Sequence, residues 1–342
     1  MHRLKSERMY VPEDIVEIHR LFYEKGWTDG LPIVPPTQER VLNLLQGTNR
    51  DPHDVIGLIP PSLAEATVEK IAVNSVMAGS LPEHLPMIIA AVEAMIERKF
   101  NLYAVQATTH PCGPLLLING PLRNRVGINC GYGAVGPGTA ANAVIGRAIR
   151  LILINIGGAI PGKVDKATHG QPGKYAYVIG ENEEESPWEP LSLEKGFSRE
   201  QSTVTVIAAE APHNVNDHSG ISAAGILTTI AGTLVGQGNN NFLFQGEPVV
   251  ILGPEHAKTI AKDGFTKSEV REWIFQRAKL PKRVFSKEKQ EKRFPHLPED
   301  ALIPIARKPD DILVAVAGGA GKHSMVIPTF GNSLSVTQLI QS

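Results

Sequence analysis

From residue 103 onward, short apolar runs of β-type residues alternate with glycine-rich loops and with helices made of small residues. This alternation is typical of α/β proteins whose sheets are at least partly parallel. The sequence therefore predicts an α/β fold that contains two similar α/β units. The first hundred residues have the pattern of helices and irregular loops, and they predict a mostly helical N-terminal layer.

These patterns divide the chain into three predicted regions. Residues 1–100 are the helical region, 101–200 the first α/β unit with a glycine-rich loop, and 201–342 the second unit with a C-terminal glycine-rich strand and loop. Within the first region, Ser62-Leu-Ala-Glu65 is a capping-box pattern that predicts a helix to about Ala78. No serine- or glycine-rich linker separates the regions.

Three of the apolar runs each reach a histidine at the end. The runs are Tyr103–His110, Thr205–His213 and Leu313–His323. Open α/β sheets present their chemistry at the carboxyl ends of the strands. The sequence therefore predicts that these three histidines share one pocket.

The first two runs also begin a faint internal repeat, in which an apolar helix and then a strand with an acidic residue follow each histidine. The matching elements are the helices 139–156 and 222–235, the strands 174–180 and 248–253, and the acids Glu181 and Glu255. An internal duplication and a convergence of two α/β segments both fit this order.

Composition excludes several classes of protein. The net charge is −1, and the most basic stretch, Lys279–Arg293, is interrupted by acidic residues, so no nucleic-acid partner is expected. The most hydrophobic window, Ala143–Ile160, carries two central arginines, so no membrane partner is expected either. With two cysteines and no apolar leader at the N-terminus, a cytoplasmic protein is the expectation.

The most specific local signal is the glycine-rich segment Asn129–Thr139, which leads directly into a helix. Backbone N–H groups in such a loop, together with the helix dipole, favour a carboxylate or phosphate. The predicted contacts are Gly131, Gly133, Gly136, Gly138 and Thr139. No nucleotide cofactor is predicted, because neither a ribose-binding acid nor a Gly-Lys-Ser/Thr ending follows the loop. A purely structural tight loop is the alternative.

Further residues are candidates for holding the same anion. Arg147 and Arg150 lie on the nearly apolar helix after the loop, where each needs either a substrate anion or one of the chain's own carboxylates. Lys322 and Ser324 belong to a second glycine-rich segment, and His169 lies in a tight Gly/Pro turn. If the strands lie side by side, both glycine-rich loops face one crevice.

The three run-end histidines have several uses. His110, His213 and His323 could act as general acids and bases, or they could together bind a divalent transition metal as the one predicted cofactor. They could also be ordinary loop histidines. Their spacing matches no standard zinc motif, and His213 and His218 are separated by four residues.

Cys130 is a second type of candidate catalytic residue. It lies inside the glycine-rich loop just before a helix N-terminus, a position that stabilises a thiolate. Cys130 could therefore be a nucleophile or a ligand. Cys112, which lies between a proline and a glycine, is a weaker candidate because buried small residues are common at such positions.

Four segments of the chain resemble a poorly characterised bacterial family. The segments are Gly26-Trp-Thr-Asp-Gly-Leu-Pro-Ile-Val-Pro-Pro-Thr37, Ala107-Thr-Thr-His-Pro111, Thr168-His-Gly-Gln-Pro-Gly173 and Gly253-Pro-Glu-His-Ala257. Members of that family are similar over nearly this whole length, and they accompany or are joined to proteins with a UGSC (selenocysteine/cysteine) motif. The resemblance implies a UGSC-type partner that carries the redox-active thiol or selenol, since no Cys-Gly-Ser-Cys occurs here.

Taken together, the residues favour an enzyme or catalytic subunit that acts on a small polar or anionic molecule. Lyase, hydratase or isomerase chemistry needs only proton transfer and charge stabilisation, which histidines and anion-binding loops supply. The alternatives are thiol-based redox or C–S chemistry at Cys130 with a partner protein, and a non-catalytic scaffold subunit. Apolar helices of small residues also suggest a homo-oligomer.

Overall fold

The computed structural model describes residues 4–341, so residues 1–3 and 342, at the outer ends of the first and third predicted regions, lie outside it. The helices of the described part are α1 (Ile15–Glu24), α2 (Gln38–Leu44), α3 (Val68–Ala78), α4 (Leu85–Ile96), α5 (Leu102–Ala107), α6 (Pro121–Arg125), α7 (Ala140–Asn155), α8 (Leu191–Glu194), α9 (Ala223–Leu234), α10 (Asn240–Phe244), α11 (Pro254–Lys262), α12 (Lys267–Arg277) and α13 (Lys287–Arg293). The strands are β1 (Val55–Ile59), β2 (Ala64–Thr67), β3 (Gly113–Asn119), β4 (Val178–Gly180), β5 (Thr203–Ala209), β6 (His213–Asn216), β7 (Val249–Leu252), β8 (Lys279–Pro281), β9 (Leu302–Pro304), β10 (Leu313–Val316), β11 (His323–Ile327) and β12 (Val336–Leu339).

Two four-stranded mixed sheets form the centre of the protein, and they confirm the predicted α/β fold. Sheet I has the order β12-β5-β3-β4, and sheet II has the order β10-β7-β11-β6. Each contains one parallel pair, β3 with β4 or β10 with β7, followed by two antiparallel pairings. After β5 the chain crosses to sheet II, and after β11 it returns to sheet I.

The two sheets pack face to face. Alternate residues of the strands, such as Leu115 and Leu117 in sheet I and Val249 and Ile251 in sheet II, belong to one buried cluster. Since side chains alternate between the two faces of a strand, these residues define the inner faces of both sheets. Each outer face is covered by helices, α3, α4 and α7 on sheet I and α9, α11 and α12 on sheet II. The result is a four-layer α/β/β/α arrangement.

The N-terminal layer is mostly helical, although it also contains a strand pair. β1 and β2 form an antiparallel hairpin, so the helix predicted from Ser62 begins only at Val68. Thr67 caps that helix, because its hydroxyl accepts a hydrogen bond from the Lys70 N–H at 3.2 Å. The Gly26–Thr37 arm docks on α7, where Asp29 forms two hydrogen bonds with Arg147.

The sequence predicts that the run Tyr103–His110 is a strand, and that prediction is wrong. Residues Leu102–Ala107 form α5, whose buried residues Leu102, Val105 and Gln106 have the i, i+3, i+4 spacing of a helix face. The strand begins instead at Gly113, after His110. His110 therefore precedes a strand rather than ending one.

The predicted internal duplication is not shown. The predicted repeat matches the strand at 174–180 with that at 248–253, which contain β4 and β7, yet β4 is an edge strand and β7 is an interior one. By position in the sheets, β4 corresponds to β10. The predicted boundary at residue 200 does not separate the sheets either, because β5 and β12 both belong to sheet I.

Within residues 4–341, no helix has both the length and the apolar character that crossing a membrane requires.

The packing of the two inner faces leads to a stability prediction. We expect Leu117→Ala to lower the free energy of unfolding by about 2–5 kcal/mol, because Leu117 is 1% exposed and truncation leaves a cavity between the sheets. Urea denaturation followed by circular dichroism measures this change. Leu302→Ala is the matched control, since Leu302 is 59% exposed, and equal losses in both variants would contradict the sandwich packing.

Candidate functional site

The histidines 110 and 323 lie at opposite ends of strand β11. This strand begins at His323 and ends at Ile327, and the next carbonyl, that of Pro328, accepts a hydrogen bond from the Glu210 N–H at 2.9 Å. Glu210 in turn contacts His110, with 2.6 Å between Oε1 and Nε2. A strand advances about 3.3 Å per residue, so roughly 16 Å of strand separates these two positions.

The register of sheet II separates His213 from His323. On strand β6, Asn216 pairs with His323 and His213 pairs with Val326. Asn216 is three steps along the strand from His213, and an odd number of steps turns a side chain to the other face. His213 and His323 therefore lie on opposite faces of the sheet.

The predicted shared pocket and the predicted metal site of His110, His213 and His323 do not form. The physical reasons are the helix at 102–107 and the alternation of side chains along β6 and β11. Among residues 4–341, no group of three or more histidine, cysteine, aspartate or glutamate side chains is arranged to hold a metal ion.

His110 belongs to a polar cluster at the start of β3, which we call the His110 pocket. It comprises a small cavity, whose lining includes Cys112, Arg150, Asp165, Lys174 and Tyr177, and the pair His110 and Glu210, which does not line the cavity but is joined to it through Tyr177. The cavity has a volume of about 20 Å³. That is room for one water molecule.

Glu210 orients the imidazole of His110. The Nε2–Oε1 distance of 2.6 Å is a short charge-assisted contact, and the ring stacks on Phe330 with centroids 5.6 Å apart. The buried Tyr177 hydroxyl donates to the main-chain carbonyl of Glu210 at 3.0 Å. Tyr177 also lines the cavity, so it connects the His110–Glu210 pair to the cavity wall.

The wall of the cavity contains two cations that share one carboxylate. Asp165 Oδ2 lies 2.6 Å from Lys174 Nζ and 3.2 Å from an Arg150 amine nitrogen. Burial alone would raise the pKa of Asp165, but the hydrogen bond and charge of Lys174 outweigh it and lower that pKa. The three lining side chains thus carry two positive charges and one negative charge.

Two of the segments that carry the family resemblance meet at this pocket. The Thr168 N–H donates to the carbonyl of Thr109 at 3.0 Å, which joins the segment Thr168–Gly173 to the segment Ala107–Pro111. Within the described chain, two buried nitrogens here have no hydrogen-bond partner, His110 Nδ1 and Gln171 Nε2. His169 is exposed on the same loop and does not line the cavity.

The two glycine-rich loops touch each other at the other end of the sheets. The Gly318 N–H donates to the Cys130 carbonyl at 2.8 Å, and Gly319 lies so close to the Tyr132 ring that an added Cβ would be 2.1 Å from it. A side chain at position 319 would therefore require the exposed Tyr132 ring to move. The loops are therefore neighbours, and the crevice predicted between them stays a prediction.

The predicted anion contacts of the first loop are only partly available. The amides of Gly131 and Gly136 already donate within the loop, to Asn129 Oδ1 at 2.9 Å and to the Gly133 carbonyl at 2.7 Å. Gly133 and Gly138 have positive φ, and Thr139 caps α7 without a side-chain hydrogen bond.

The remaining predicted anion contacts are distributed over the molecule. Arg150 is eleven residues along α7 from Thr139, or about 16 Å, so it cannot act with the glycine-rich loop. Its partner and that of Arg147 are the chain's own carboxylates. Lys322 binds the carbonyls of His218 and Gly220, at 3.2 Å each.

Ser324, predicted as a donor to the anion, is 3% exposed. Its hydroxyl contacts His256 Nδ1 at 2.8 Å and accepts the Gly253 N–H at 3.2 Å. Ser324 therefore joins β11 to β7 and α11, and it does not face an open crevice.

Cys130 does not have the environment of an activated thiol. Burial raises its pKa, and the opposing effect of Arg123, whose guanidinium donates to Sγ at 3.1 Å, does not reverse the shift. Arg123 also forms two hydrogen bonds with Glu184, at 2.7 and 2.8 Å. The prediction of a stabilised thiolate is therefore wrong in its direction.

The sequence pattern missed the residues that complete each histidine site. Asp165 and Lys174 had no distinguishing motif, and Glu210 gave only the weak signal of an acid at the end of a strand. At the other end of β11, His323 contacts His218, with 3.1 Å between their Nε2 atoms. The signal for that pair was the second histidine of the His213–His218 segment, five residues after His213.

Comparison with known proteins identifies no family for this chain. No protein-family model matches the chain, and no curated protein matches it. The resemblance to the UGSC-associated family, and the partner it implies, therefore stay predictions.

The environments of the two cysteines predict low reactivity. Burial raises the pKa of Cys112 to about 12, and it raises that of Cys130 as well, so little thiolate exists at neutral pH. We expect iodoacetamide at pH 7.5 to alkylate both residues more slowly in the native protein than after unfolding in urea. Mass spectrometry of the digested protein measures each rate. Faster alkylation of Cys130 in the native state would restore the thiol hypothesis.

Proposed function

We propose that the protein is an enzyme that binds a small anionic molecule in the His110 pocket and transfers a proton with His110. The observation that carries the proposal is the 2.6 Å contact between His110 and Glu210, next to a cavity whose wall contains two cations and one carboxylate. Lyase, hydratase or isomerase chemistry suits this set of groups best.

The cations support an anionic ligand. Arg150 and Lys174 both contact the same oxygen of Asp165, which leaves one positive charge of the lining uncompensated. A carboxylate or phosphate oxygen that enters the cavity would gain charge-assisted hydrogen bonds from both. Glu210 does not line the cavity, and its charge faces His110 instead.

The His110–Glu210 pair supports proton transfer. A carboxylate that accepts the Nε2 proton leaves the lone pair on Nδ1, and Nδ1 has no other partner among the described residues. Because His110 does not line the closed cavity, Nδ1 can take a proton from the bound molecule only after the cavity opens toward it, and Glu210 then stabilises the resulting imidazolium. Return of that proton to another atom of the same molecule completes an isomerisation, or an elimination if a group leaves.

The cavity must open before a molecule larger than water enters. Its wall includes Gly173 and Lys174, at the end of the loop that carries His169. Gly170 in that loop has φ +68°, which glycine adopts without strain. Movement of residues 167–174 is therefore the proposed route of entry, and it would carry Lys174 with it.

The positive charge of Lys174 leads to a prediction for anion binding. We expect Lys174→Gln to weaken the binding of phosphate or malonate about tenfold or more, because one charge-assisted hydrogen bond to the anion is lost. Isothermal titration calorimetry and the rise in melting temperature measure the affinity. Lys166→Gln is the matched control, since Lys166 lies on the same loop but is exposed. Equal affinities in all three proteins would contradict the proposed anion site.

Proton transfer by His110 leads to a prediction for the exchange of carbon-bound hydrogen with solvent. Incubation in D₂O with a panel of small carboxylates, followed by proton NMR, detects removal of a carbon-bound proton whatever product the reaction forms. We expect His110→Gln and Glu210→Gln to slow the exchange at least 100-fold, the lower bound for general acid–base catalysis. His213→Gln, an exposed histidine elsewhere, should retain the wild-type rate. Full exchange in the His110 variant would refute the assignment.

A further inference from the structure

The second histidine pair, His218 and His323, has a geometry that suits two ligands of one metal ion. Their Nε2 atoms are 3.1 Å apart, and the two rings are nearly perpendicular, with an interplanar angle of 87°. With histidine–metal distances of about 2.0–2.1 Å, this separation corresponds to an N–metal–N angle of roughly 100°. That angle lies between the octahedral and tetrahedral values.

The tautomer of His323 suits a metal ligand. Its Nδ1 lies 3.0 Å from Oδ1 of Asn214, and an amide oxygen can only accept, so Nδ1 carries the proton. The lone pair is then on Nε2, the atom that faces His218. Metal-binding histidines are commonly fixed in this way by a hydrogen bond from the other ring nitrogen.

His218 is held close to His323 by the backbone around it. Lys322, the neighbour of His323, donates to the carbonyls of His218 and Gly220, and the Asp217 N–H donates to the Lys322 carbonyl at 3.3 Å. These hydrogen bonds join the turn at 217–220 to the start of β11. The approach of the two imidazoles is therefore built into the turn.

The surroundings leave coordination positions open. Both histidines are exposed, and Asn214 and Asn216 lie on the same face of sheet II as His323 because Asn216 pairs with it. No third histidine, cysteine or carboxylate completes the group within residues 4–341. Imidazole ligands favour zinc, copper, nickel and cobalt over magnesium or calcium.

We infer that His218 and His323 form a two-histidine site for a divalent transition metal, with its other positions occupied by water or by a ligand. The site is independent of the His110 pocket, because the two lie at opposite ends of β11. It replaces the three-histidine arrangement that the sequence suggested, and only His323 is common to both.

Metal titration of the full chain tests the inference. After treatment with a chelator, the protein is titrated with Co²⁺ and Zn²⁺ by isothermal titration calorimetry, and with Cu²⁺ by electron paramagnetic resonance. We expect one ion per chain and a Cu²⁺ spectrum split by two imidazole nitrogens. His218→Ala and His323→Ala should each weaken binding at least tenfold, and Asn214→Ala about tenfold through loss of the orienting hydrogen bond.

His213→Ala is the matched control, because His213 is also exposed on β6 but faces the opposite side of the sheet. Circular dichroism establishes that each variant is folded. Failure of the wild-type protein to bind any of the three ions would overturn the inference. An equal loss in the His213 variant would do the same. Neither result bears on the anion-binding tests of Lys174.

Discussion

Burial of the central strands on both faces limits where this protein can place its polar groups. Every residue of β5, β7 and β10 is buried, between the opposite sheet on one side and helices on the other. Polar and charged side chains are costly in such an environment unless they are paired. Histidines and carboxylates therefore lie where strands begin or end. As a result, polar clusters are present at both ends of the sheets.

Much of the fold could be predicted from the sequence because its helices have strong apolar patterns. The helix predicted over 139–156 is observed as α7 at 140–155, and that predicted over 222–235 is α9 at 223–234. The prediction of a strand around residue 105 is wrong because Tyr, Val and Thr favour strands by composition. Tertiary packing of Leu102, Val105 and Gln106 decides for a helix there.

The candidate sites were less predictable, for a different physical reason. The contact between His110 and Glu210 joins residues a hundred positions apart, and Asp165 meets Arg150 and Lys174 through the return of an irregular loop. The spacing of residues along a single strand or helix does not indicate such contacts. The separation of His213 from His323 likewise depends on the register between β6 and β11. A sequence indicates such a register where a tight two-residue hairpin joins the two strands, and no such hairpin joins β6 to β11.

The exchange of the chain between the two sheets has a mechanical consequence. β6, which follows β5, forms the edge of sheet II, and β12, which follows β11, forms the edge of sheet I. The edge strand of each sheet is thus connected directly along the chain to a strand of the other sheet. The two crossings are joined to each other by the hydrogen bond from the Glu210 N–H to the Pro328 carbonyl, so any hinge between the sheets would have to bend there, beside the His110 pocket.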